Sequence, residues 1–286
     1  MINDYSDMSL LPGSAWLLPS SGEHSFAGNQ SYHFEELQMY GNAHLAVRTE
    51  PYNQAASLFF RDMIGDRTCT IHVANNQTMD LIRDKIDLPF NVRVYRGGFV
   101  GLANTTTIHG VTIYVHGIIS FIPKIILHHN GALHLYENSR TGKQQQMNDF
   151  RFGSIRIQYG GILNMTSDPL THKGMNLSVT LLHIEGGGRL ESSNLNVEAE
   201  NISVNAKGII DLSGRGYNYV HGKNVGVSGR ANPGCGSGSN GGASGGGHGG
   251  TGGRGKINTK VGLSYGNIYE PEEFGSSGGG NVHNAG

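Results

Sequence analysis

The chain has 286 residues, 45 of them Gly, with 15% charged residues and a formal net charge of −1. Balanced charge excludes the basic excess of a nucleic-acid-binding surface, and the glycines lack the every-third-residue period of collagen. The longest apolar run, near residues 117–127, is broken by Ser120 and Lys124 and is about half the ~20 residues a membrane span needs; a 37% hydrophobic share argues against disorder.

Residues 1–29 read as an irregular N-terminal segment. No basic stretch precedes an apolar one, so they do not read as a signal peptide, and residues 10–18 are interrupted by Pro12, Gly13 and Ser14. Neither end supplies an obvious polar capping coil, and the chain is expected to be a fragment of something longer.

From 30 to 228 one template recurs: apolar, x, apolar, three residues, Gly, x, apolar, x, apolar. It fits Val92/Val94/Gly98/Val100/Leu102, Ile125/Leu127/Gly131/Leu133/Leu135 and Ile155/Ile157/Gly161/Leu163/Met165. Leu182/Ile184/Gly188/Leu190 and Ile202/Val204/Gly208/Ile210/Leu212 follow, and two earlier copies, from Leu37 and Ile71, lack the Gly. Alternation with period two places one set of side chains on one face of a strand, and the Gly is expected to supply the positive φ of a bend. Further alternating pieces at Val111/Ile113/Val115, Leu177/Val179 and Leu195/Val197 give a third strand per unit. The expected fold is all-β: a right-handed parallel β-helix of ~20–21-residue coils with insertions, each coil stabilised mainly by its neighbours. A hairpin-built sandwich or barrel is the alternative, with Asn130-Gly131 as its one good turn.

The remaining glycines concentrate at the C-terminus, where residues 222–286 hold 23 of the 45. Residues 229–286 are expected to form a glycine-rich loop followed by an ordered return, with Tyr265, Tyr269, Pro271 and Phe274 as anchors. The same run generates motif matches freely. The Walker-like 250–256 has Ile257 where Ser or Thr should hold Mg²⁺, and Gly236-x-Gly238-x-x-Gly241 does not lead from a strand into a helix.

Six Asn-x-Ser/Thr acceptors, at Asn29, Asn76, Asn104, Asn164, Asn176 and Asn201, favour an extracellular setting. Cys69 and Cys235 are candidates for one disulfide, with two free thiols as the equal alternative.

The stretches 242–255 (GASGGGHGGTGGRG), 265–280 (YGNIYEPEEFGSSGGG) and 208–216 (GIIDLSGRG) resemble a unit of very large surface proteins. In those a β-helix strand precedes a glycine-rich excursion, and the architecture is similar to that of filamentous haemagglutinin-like adhesins. The resemblance, over about residues 120–286, implies an extracellular or cell-surface structural role and names no ligand.

Catalysis of the pectin type, hosted on parallel β-helices, needs paired carboxylates. Here no Asp-Asp occurs, and Gly247-His248-Gly249 and Arg254-Gly255-Lys256 sit inside the glycine run. Among 14 histidines, His128, His129 and His134 cluster, and His183 pairs with Glu185 on the outer face; neither group places a fourth ligand for zinc. The expectation is therefore a non-catalytic structural or adhesive segment, without cofactor or metal, meeting neighbouring coils of a longer chain and an extracellular ligand such as a glycan or matrix. A carbohydrate-binding or carbohydrate-cleaving protein is the alternative.

Overall fold

Alternating apolar residues become strands wherever the template placed them, and every regular element among the described residues is a strand. The computed structural model describes residues 2–10, 13–18, 30–47, 55–142, 147–167, 174–192 and 195–213, with residues 2–10 and Gln30 as backbone only. Sheet A orders β1 (Ile2–Leu10), β3 (Gln30–Met39), β5 (Ala56–Gly65), β7 (Gln77–Leu81), β10 (Phe99–Gly101), β13 (Ile118–Ile119) and β16 (Arg140–Thr141). Sheet B orders β2 (Ala15–Leu18), β4 (His44–Val47), β6 (Thr70–Val73), β9 (Asn91–Val94), β12 (Thr112–Val115), β15 (Ala132–Tyr136), β18 (Ile162–Thr166), β20 (Arg189–Ser192) and β22 (Ile209–Asp211). Sheet C orders β8 (Lys85–Leu88), β11 (Thr105–His109), β14 (Ile122–His128), β17 (Asp149–Ile157), β19 (Met175–Ile184) and β21 (Leu195–Val204).

The registered pairs are parallel in all three sheets. Asn130 and Gly131 accordingly join β14 of sheet C to β15 of sheet B rather than closing a hairpin. From β7 to β15 the chain visits the sheets in the repeating order A, C, B. Partners across compact rungs are 20 or 21 residues apart, as for Asn104 and Asp84 or Thr112 and Asn91. Insertions widen the interval, to 27 between Asn176 and Asp149.

Register stacks like on like. In sheet B, Leu45, Ile71, Val92, Ile113, Leu133 and Leu163 form one inward column, each at most 1% exposed. Phe34 and Phe60 stack face to face at 5.0 Å inside β3 and β5. Burying each such side chain contributes roughly 1.5–3 kcal/mol relative to exposure. Polar groups that enter the core are satisfied: Gln77, 1% exposed, donates from Nε2 to the Val47 carbonyl and accepts the Ala74 N–H at Oε1.

The corners assign the template glycine a different task from the one expected. In all seven copies the positive φ belongs to the residue before the template position: Asn42, Asn76, Gly97, Asn130, Gly160, Gly187 and Lys207. The template glycines need their missing Cβ for another reason. A Cβ on Gly131 would lie 1.8 Å from the Ile108 carbonyl oxygen of the preceding rung, and one on Gly161 2.3 Å from that of Leu127. Glycine is required there by close approach to backbone.

Residues 1–29, expected to be irregular, contain β1 and β2, which pair in register with β3 and β4. The described strands, Ser192 at the end of β20 apart, lie in one compact unit. No helix of the described residues is long and apolar enough to cross a membrane. The glycine-rich segment and its aromatic anchors lie outside the described residues.

Candidate functional site

With the core filled by inward columns, chemistry on these strands is confined to outward positions, and register stacks those too. The outward column at the centre of sheet B reads His72, Arg93, Tyr114, His134 and Asn164 on successive rungs. Beside it stand Tyr95, His116 and Tyr136, and His44 lies one rung before His72 and two residues over. Strands in a sheet are ~4.8 Å apart, so planar side chains at matching positions meet face to face. Tyr114 stacks on His134 with centroids 4.9 Å apart, His116 on Tyr136 at 3.9 Å, and the Arg93 guanidinium lies 5.2 Å above the Tyr114 ring. Because the faces are occupied by neighbours, the strip turns ring edges outward: imidazole nitrogens and phenol hydroxyls.

Those edges are linked. His44 Nδ1 lies 3.1 Å from His72 Nε2, and His72 Nδ1 lies 3.1 Å from Tyr95 Oη. A neutral His72 satisfies both contacts by donating from Nε2 to His44 and accepting the Tyr95 hydroxyl at Nδ1. Partial burial, then the charges of His44 and Arg93, lower the pKa of His72. Burial, then Arg96, lowers that of His116; burial also lowers His134, against a smaller opposing pull from Glu191. Alongside runs a shallow groove lined by Arg96, His116, Ile118, Asn138, Arg140 and Met147. The strip is thus a hydrogen-bonding and cationic surface with a repeat along the sheet.

A second cluster stands where sheet C turns into sheet B. His109 and His128 are register partners at the ends of β11 and β14, their rings stacked at 4.6 Å. His129, in the following corner, packs its ring 4.9 Å from His128 and 5.3 Å from His109. His128 Nδ1 and His129 Nδ1 approach to 2.6 Å. Asp87 Oδ2 lies 3.9 Å from His109 Nδ1 and accepts a 2.9 Å hydrogen bond from Arg67. The grouping expected from sequence was His128, His129 and His134. His134 instead belongs to the sheet B strip, and His109 takes its place, because register pairs His109 with His128 and the corner sends His134 onto another sheet.

A third feature is a cleft lined by Glu35, Glu36, Arg61, Asp62, Arg83, Asp84 and Lys85. Its carboxylates are engaged: Arg61 pairs with Glu35 at 2.8 Å, Arg83 with Asp62, and Asn104 donates to Asp84. His183, expected to pair with Glu185, lies 3.6 Å from it and also contacts Ser203.

Of the glycosylation acceptors, Asn76, Asn104 and Asn201 are exposed, Asn164 and Asn176 are half-buried in strands, and Asn29 lies outside the described residues. Cys69 is fully buried, its thiol pKa raised chiefly by that burial. Cys235, its candidate partner, lies outside the described residues. Sequence reasoning did not find Tyr95, Tyr114, Tyr136 or Arg93 as partners of the histidines; the signal available was their outward parity in consecutive template copies. Comparison with protein-family models, with curated proteins and with solved structures finds no match to this chain.

Proposed function

We propose that the chain is a right-handed parallel β-helix serving as a non-catalytic, adhesive scaffold of a secreted or cell-surface protein. Its ligand is an extended acidic glycan lying along the outer face of sheet B. The observation that carries this reading is the column of outward rings and Arg93. It offers imidazole, phenol and guanidinium donors on consecutive rungs, a spacing that suits a polymer with repeating hydroxyl and carboxylate groups rather than a compact metabolite. Right-handedness follows from the crossover rule for parallel strands. The exposed acceptors Asn76, Asn104 and Asn201 support an extracellular setting.

The cleft of Glu35, Asp62 and Asp84 favours carbohydrate cleavage as the second reading. The carboxylates of Glu35 and Asp62 are already engaged by Arg61 and Arg83, which weighs against it. A glycan array followed by a reducing-sugar assay on polygalacturonate and neutral polymers separates the two. Binding to acidic polymers without turnover, weakened about tenfold or more by Tyr114→Ala or Arg93→Ala, is the expected result; turnover sensitive to Asp62→Asn would establish the second reading instead.

A further inference from the structure

We infer that His109, His128 and His129 form a binding site for one divalent first-row transition metal, with zinc as the ion they fit. Their ligand atoms lie within 4.8 Å of one another, and no other such group of three occurs among the described residues. Imidazole suits zinc, which takes three histidines plus an open fourth position at about 2.0–2.1 Å per nitrogen. None of the three rings is buried, so small χ rotations bring the nitrogens to that distance without disturbing the core.

Two features of the cluster bear on the site. The first is the corner itself. His129 and Asn130 have φ of 46° and 64°, and Gly131 donates to the His128 carbonyl, so both central residues of the turn are left-handed. At the corresponding corners Asn75, Arg96, Tyr159, Gly186 and Ala206 occupy the place of His129 with ordinary φ, and only Gly41, which has no Cβ to strain, shares its left-handed conformation. His129 therefore bears strain of about 1–2 kcal/mol, and that conformation is what sets its ring against both His128 and His109. The second is the 2.6 Å approach of the two Nδ1 atoms. Two basic nitrogens so close must share a proton, and an ion accepting both lone pairs satisfies them equally. Asp87, held by Arg67, lies 3.9 Å from His109 Nδ1, within a small side-chain movement of the hydrogen bond by which a carboxylate steers a ligating imidazole. The ion would join two rungs of sheet C to the corner leading into sheet B. This site is independent of the glycan strip.

The test uses the untagged full chain after chelator dialysis. Zn²⁺ titration by calorimetry is expected to show one saturable tight equivalent, and Co²⁺ the visible bands of tetrahedral coordination. His109→Gln, His128→Gln and His129→Asn should each abolish it; Asp87→Asn should weaken it about tenfold or more. His44→Gln with His72→Gln should leave it intact. Asn tolerates the left-handed region, so the metal-free His129→Asn protein should be at least as stable as the parent. Histidine side-chain ¹⁵N shifts in the unsubstituted chain supply a readout independent of any variant, with His109, His128 and His129 moving first. Absence of saturable binding, shifts centred on His44 and His72, or insensitivity to the three substitutions would overturn the site.

Discussion

His72 and His134 sit half-buried in the sheet B strip, and His116 packs its exposed ring on Tyr136. Desolvation first, then the charges of His44 and Arg93 at His72 and of Arg96 at His116, makes their protonation costly. Each has a folded-state pKa below its ordinary value, so the unfolded chain takes up protons first as pH falls through about 6.5. Stability is fully present above that pH and declines below it until the folded state protonates as well. Melting temperature, measured with chelator present, should therefore fall between about pH 7 and pH 5. A variant carrying His72→Asn, His116→Gln and His134→Asn should show a shallower fall. An identical slope in parent and variant would mean that these rings are as solvated as free histidine.

At the scale of the element, the corners show what was legible in the sequence and what was not. Period-two alternation located the inward columns, and the fixed-offset glycines located the bends, because both requirements fall on side chains directly. The template nevertheless mixed three kinds of corner. The copy starting at Leu37 joins sheet A to sheet B, those at Ile71 and Val92 join sheet B to sheet A, and those from Ile125 onward join sheet C to sheet B. A tight turn flanked by inward residues looks alike at every corner, so the pattern marks corners rather than rungs. Nor could it reveal that the glycine answers to a carbonyl one rung away, since that contact spans an insertion of variable length. The site was legible only in part for the same reason: His109 meets His128 through register, which no local spacing encodes. The two glycine roles are separable by substitution. Gly160→Ala meets nothing closer than 3.1 Å and places Ala at φ 71°, costing about 1–2 kcal/mol. Gly161→Ala drives a Cβ into the Leu127 carbonyl and should cost more, about 3 kcal/mol or above, by denaturant unfolding. Equal costs would return the positive-φ explanation to the template glycine.

For the molecule as a whole, burial is supplied by the next rung. Leu182, Ile184 and Leu190 are each 0% exposed, whereas their register partners one rung on, Ile202, Val204 and Ile210, are 48%, 45% and 44% exposed. Aliphatic side chains at the same position of the same sheet thus differ in burial from one rung to the next. Stability of such a stack is close to a sum of nearest-neighbour interfaces, and damage should remain near its source. Phe60→Ala removes the ring stacked on Phe34 and aligned with Leu81, at a cost of about 3–5 kcal/mol. Native-state hydrogen exchange should then show protection lost in β3, β5 and β7 and retained in β17 and β19, more than one rung from the cavity. A uniform loss across all three sheets would show instead that the strands unfold as one cooperative block, with the corner hydrogen bonds rather than the stacked columns carrying the coupling.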